Sequence, residues 1–116
     1  MARYFTEAGF AVVAFDIRGH GTSEGKRGHT PSYDLLMDDI EGVYDKVKSD
    51  YPDAPVVLFG HSMGGNLILN FILRRKRKVA GVIVTGPYLK LGFEPPKWKI
   101  ILLLFLLSSI PIWPMP

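Results

Sequence analysis

The sequence predicts an α/β protein, a mostly parallel sheet with flanking helices. Short apolar runs rich in β-branched and aromatic residues, at 10–15, 56–59 and 79–85, alternate with longer stretches of helical periodicity. That is the strand-helix-strand order of a parallel sheet. The second run passes through Gly60-His61-Ser62-Met63-Gly64-Gly65 straight into a helical stretch. A glycine-rich polar loop follows the first run, at the strand end where open α/β sheets carry their working loops.

In chain order, Met1-Ala2-Arg3-Tyr4-Phe5-Thr6-Glu7-Ala8-Gly9 reads as the tail of a helix stopped by Gly9. It lacks the apolar core of a secretory signal. Phe10-Ala11-Val12-Val13-Ala14-Phe15 is continuous and apolar, the mark of a strand buried on both faces. The loop Asp16-Ile17-Arg18-Gly19-His20-Gly21-Thr22-Ser23 then runs on to about Pro31. From Ser32 to Tyr51, Leu36, Ile40, Val43 and Val47 recur at helical spacing, with Asp34 near the start and Lys46 and Lys48 near the end, as the helix dipole favours. Pro52 closes that helix. Val56-Val57-Leu58-Phe59 is the second strand, Asn66–Leu73 lies in the second amphipathic helix, and Val79–Thr85 is a third buried strand ending at Gly86-Pro87.

At 116 residues and 47% hydrophobic content, the chain is one domain or part of one. Without cysteine there is no disulfide or thiolate metal site, and a reducing compartment is compatible. The net charge of +3 is mild and sits largely in Arg74-Arg75-Lys76-Arg77-Lys78, so nucleic acid is not an expected partner. The cluster reads as a solvated helix end that complements the negative pole of the dipole. Anionic lipid or a nuclear address is the other reading.

Beyond Pro87 the character changes. Five of the nine prolines follow residue 94, and Ile100–Leu107 is continuously apolar between Trp98 and Trp113. A membrane span needs about 18 or more such residues, so this run reads as a buried or an interfacial helix.

Gly-x-Ser-x-Gly between a strand and a helix is the pattern of a nucleophile elbow, a sharp turn that lifts a serine hydroxyl clear of the sheet. Ser62 is the candidate nucleophile, and Gly60 and Gly64 are expected where any Cβ would clash. Together with the Asp16–Ser23 loop and Gly28-His29-Thr30-Pro31-Ser32-Tyr33, this motif resembles the α/β-hydrolase superfamily. More narrowly it is similar to the monoacylglycerol lipase and lysophospholipase branch, also called serine aminopeptidase-like.

The resemblance implies a partial α/β-hydrolase fold, with residues 1–88 as core and 89–116 as the start of a helical lid. It implies a serine hydrolase of carboxylic esters, of monoacylglycerol or lysophospholipid type, acting through an acyl-enzyme on Ser62. The backbone N–H of Met63 would be one oxyanion donor. No metal or organic cofactor is implied, and the partners are a small lipid or ester substrate and, through the lid, a membrane surface. The expected location is cytoplasmic with such a membrane contact.

In that family an Asp and a His follow the nucleophile, and a strand absent from this sequence lies between those matching 10–15 and 56–59. After Ser62 there is no histidine. His61 neighbours the nucleophile but diverges from it, the resemblance gives His20 and His29 loop-bracing or cleft-lining places, and Asp16 and Arg18 are expected to tie the loop together. The chain is therefore expected to be the middle of a longer protein, inactive alone, with a gap in its sheet. A non-catalytic binding protein of the same fold, or a peptidase or acyltransferase of the same superfamily, stands as the alternative.

Overall fold

The structure is a computed structural model that describes residues 2–89, 96–99 and 101–102. Among the described residues the elements run in the order α1 (Ala2–Glu7), α2 (Tyr33–Asp50), β1 (Val57–His61), α3 (Met63–Arg75) and β2 (Gly81–Thr85), with further helical residues at 97–99 and 101–102. β1 and β2 pair in parallel, Val57 opposite Gly81 through His61 opposite Thr85. The ladder extends past both ends, with Ala80 N–H donating to Val56 C=O at 2.7 Å and Ser62 N–H to Thr85 C=O at 2.9 Å. α3 is the crossover between the two strands and packs on β1, and α2 packs on α3.

The helix α2 begins where Ser32, in extended conformation, accepts the Leu35 N–H on its side chain, a cap that satisfies one orphan donor of the first turn. Its inner stripe is Leu36, Met37, Ile40 and Tyr44, which meets Leu67 and Phe71 of α3 to form the core. The expected stripe is thus shifted: Met37 and Tyr44 join Leu36 and Ile40 in it, Met37 being fully buried, while Val43 and Val47 are half-buried. Tyr44 can sit inside because its hydroxyl donates to Lys78 C=O at 2.6 Å, leaving no buried polar group unpaired.

Two strands form among the described residues, where three were expected. Residues 10–15 make no ladder, and their apolar side chains face outward, Phe10 at 57% and Val13 at 54% exposure. β-rich composition becomes a strand only beside a neighbour that can take its N–H and C=O groups. β1 does not provide that neighbour here, as the expected gap in the sheet requires. The third expected strand is also shorter, opening at Gly81 instead of Val79.

The basic cluster is not merely solvated. Arg74 meets Asp34, Arg75 meets Asp38 and Glu41, and Arg77 meets Glu41 and Asp45. Arg74 also stacks over Tyr33 and Arg77 over Tyr44, at 5.1 and 5.8 Å from the ring centroids. Lys76 ends α3 in the left-handed conformation, its N–H donating to Ile72 C=O. The cluster clasps α3 to α2.

No helix among the described residues is long and apolar enough to cross a membrane. The segment expected to begin a lid lies outside the described residues except for its first part, where Trp98, Ile101 and Leu102 are exposed.

Candidate active site

The junction of β1 and α3 is a single residue. Ser62 takes φ 53° and ψ −117°, a combination that L side chains resist and that persists only where surroundings enforce it. Its backbone is held at both ends: the N–H by Thr85 C=O, and the C=O by the N–H groups of Asn66 and Tyr88 at 3.2 and 3.1 Å. The side chain is exposed and, although it stands at the N-cap of α3, makes no capping hydrogen bond. A serine at that position ordinarily caps; this one does not. Met63 follows as the first residue of α3, where the backbone N–H has no intrahelical acceptor and the positive end of the dipole gathers.

The glycines divide the work differently from the motif expectation. A Cβ on Gly60 would stand 2.5 Å from Gly64 O and 2.8 Å from Gly65 N, so Gly60 is needed. A Cβ on Gly64 would meet nothing within 4 Å, whereas one on Gly65 would lie 3.1 Å from Pro87 Cβ and 3.3 Å from Gly60 O. Gly65, which the spacing of the motif does not single out, lets the loop after β2 close on α3.

Among the described residues no histidine ring is hydrogen-bonded to Ser62. His61 Nδ1 pairs with Thr85 Oγ1 at 2.9 Å, across the ladder from it, so the ring braces the two strand ends. His20 Nδ1 lies 3.2 Å from Arg18 O, and His29 is tied into its turn by its backbone N–H, which donates to Lys26 C=O. Among the described residues no hydrogen bond joins Ser62 Oγ to a base, and no group of residues is arranged to hold a metal ion.

The Asp16–Ser23 loop is a self-bonded brace. The Asp16 carboxylate accepts the Thr22 N–H at 2.9 Å and the Thr22 hydroxyl at 3.2 Å, and Ser23 Oγ donates to Asp16 O. These bonds, Thr22 N–H foremost, hold the Asp16 carboxyl below its ordinary pKa, with Arg27 and His20 adding smaller attractions against a small desolvation cost. Arg18 reaches α2 with a two-pronged pair to Asp39, 2.6 Å on each oxygen, which raises the guanidinium pKa further. The loop is thereby fixed to α2.

Asn66, which composition and spacing gave no reason to notice, joins α3 to α2 and to the loop after β2. Its amide donates to Tyr88 C=O at 2.7 Å and accepts the Tyr33 hydroxyl at 2.9 Å. Burial raises the Tyr33 pKa, Arg74 opposing in part.

With this geometry in view, comparison with known proteins is informative. The chain is 38% identical, over 94% of its length, to an uncharacterised abhydrolase domain-containing protein of Dictyostelium discoideum, of which it covers 11%. It is 33% identical over 75% of its length to a monoacylglycerol lipase of Mycolicibacterium smegmatis, covering 31% of that protein. The crystal structure of Paleococcus ferrophilus monoacylglycerol lipase superposes with a TM-score of 0.69 at 34% identity, over 94% of this chain and 40% of that one. The chain thus spans well under half of these relatives. The family model for serine aminopeptidase, S33, matches residues 1–116, and the chain belongs to that family of α/β-hydrolases.

Proposed function

We propose that Ser62 is the nucleophile of a serine hydrolase that cleaves carboxylic esters of lipids, of the monoacylglycerol or lysophospholipid class. The observation that carries this reading is the Ser62 backbone at φ 53°, with an exposed hydroxyl withheld from capping. Strain of this kind clusters where chemistry requires it. In the proposed step Oγ bonds to the ester carbonyl carbon, its proton passes to a general base, and the negative charge on the carbonyl oxygen is met by the Met63 N–H. Collapse expels the alcohol, which takes up that proton, and leaves an acyl-enzyme for water to cleave. The base and its orienting acid are assigned to parts of the whole protein outside these 116 residues.

The lipid preference rests on the lipase relatives and on the apolar stretch from residue 89 onward, proposed as the start of a lid that contacts a membrane surface. A cytoplasmic setting is part of the proposal, and a chain without cysteine is compatible with it.

A fluorophosphonate probe should label the full-length protein at Ser62, and Ser62→Ala should abolish that labelling. A folded, unlabelled protein would favour the alternative, a binding protein that keeps the fold, a reading supported by the His20 and His61 rings being hydrogen-bonded away from Ser62. The 116-residue chain alone should hydrolyse a nitrophenyl ester no faster than its Ser62→Ala variant.

A further inference from the structure

Asn66 sits on the first turn of α3, four residues after Ser62. A helix asks nothing of its side chain there, and alanine would serve the helix better. The amide is instead spent on partners from elsewhere in the chain. Nδ2 donates to Tyr88 C=O at 2.7 Å, and Oδ1 accepts from the Tyr33 hydroxyl at 2.9 Å and from Asn70 Nδ2 at 3.3 Å.

These bonds close a ring around the serine. Tyr88 N–H and Asn66 N–H both donate to Ser62 C=O, and the Asn66 amide returns to Tyr88 C=O. The backbone of Tyr88 is therefore held on both sides, and the carbonyl of the strained residue is fixed by two donors whose own positions are fixed to each other. Tyr33, the first residue of α2, sets the amide: with its hydroxyl donating to Oδ1, Nδ2 is the atom left to face Tyr88. An unfavourable backbone persists only where its surroundings over-determine it, and this ring supplies that constraint behind the elbow.

We propose that Asn66, oriented by Tyr33, is a positioning residue that locks the loop after β2 onto the Ser62 carbonyl and so aims the Ser62 hydroxyl. The inference rests on Ser62 being the nucleophile. Asn66 touches no reacting atom; it acts through the serine's own backbone.

The test measures the rate at which a fluorophosphonate acylates the full-length protein, a step in which Oγ bonds phosphorus, fluoride leaves and the hydroxyl proton passes to the base. Asn66→Ala should slow labelling about tenfold or more, the scale of a misaimed reacting group. In nitrophenyl ester hydrolysis the loss should fall on kcat, with KM within about twofold, as for an interaction that matters to the transition state. Tyr33→Phe removes only a hydroxyl and guards against a variant that fails to fold. It should slow labelling about fivefold, the worth of one hydrogen bond, with the thermal midpoint close to that of the unaltered protein. Because Tyr33 acts through Asn66, the double variant should be no slower than Asn66→Ala, a non-additivity that general destabilisation would not produce. Folded variants labelled at the unaltered rate would overturn the role of Asn66 alone. Absence of Ser62-dependent labelling in the unaltered protein would overturn the nucleophile reading, and this inference with it.

Discussion

A Cβ placed on Gly60 would stand 2.5 Å from the carbonyl oxygen of Gly64, yet one placed on Gly64 would touch nothing. The two glycines of the motif are thus unequal partners in a single close approach. Gly60→Ala must push backbone against backbone and should cost about 1–3 kcal/mol, as overpacking does. Gly64→Ala replaces a helical glycine with the best helix former and should add up to about 1 kcal/mol. Urea denaturation of the two variants in the full-length protein checks this. Equal losses would show that Gly64 is crowded after all.

Much of this was legible locally. The α2 boundaries, the helix after Ser62 and the elbow between strand and helix follow from spacing within a few residues, because caps and amphipathic periods are short-range. Residues 10–15 misled for a physical reason: β-branched and aromatic composition reports fitness for a strand, but the ladder needs a partner elsewhere in the chain. The arginine clasp was half visible. Asp34, Asp38, Glu41 and Asp45 recur at helical spacing on α2, and that acidic stripe was a signal that the basic cluster had an opposite surface. Nothing in the sequence marks Asn66, and Gly65 stands at the end of the motif with no task that spacing reveals; their partners at Tyr88 and Pro87 are brought near only by the crossover.

The clasp makes a salt-dependent prediction. Arg77 combines a pair to Glu41, whose side chain is 23% exposed, with stacking over Tyr44. Such partly exposed pairs contribute little singly, but pairing plus stacking should make Arg77→Ala cost about 1 kcal/mol. Arg77→Lys should recover less than half, since an ammonium has neither the fork nor the planar face. At about 1 M salt the difference should shrink. A loss unchanged by salt would mean that the side chain acts by packing alone.

Asp16 gives a prediction in pH. Its folded-state pKa lies below the ordinary 3.8 because the Thr22 N–H and hydroxyl bind the carboxylate. A lowered acid contributes stability that is fully present above the unfolded pKa and is lost as pH falls through the folded one. The loop from Asp16 to Ser23 should therefore loosen under acid. Asp16→Asn keeps an oxygen for Thr22 but carries no charge, so its stability deficit should be full above the ordinary 3.8 and fade as pH falls through the lower folded-state pKa. Hydrogen exchange of the Thr22 amide follows the same loop directly. A deficit constant across that range would assign the role of Asp16 to geometry, without charge.

Ser62 offers the sharpest separation of stability from chemistry. Its φ of 53° and ψ of −117° should cost about 1–3 kcal/mol in an L residue, and its hydroxyl makes no cap bond in return. Ser62→Gly relieves that strain but frees the unfolded chain by about 0.4–1 kcal/mol. The strain is the larger quantity, so Ser62→Gly should be stabilising, by up to roughly 2 kcal/mol. Ser62→Ala keeps a Cβ and hence the strain, and should stay within about 0.5 kcal/mol of the unaltered protein. Both variants should be blind to a fluorophosphonate, with the glycine variant melting higher than the alanine one. If the two melt together, the elbow is relaxed, and the physical ground for reading Ser62 as a poised nucleophile is gone.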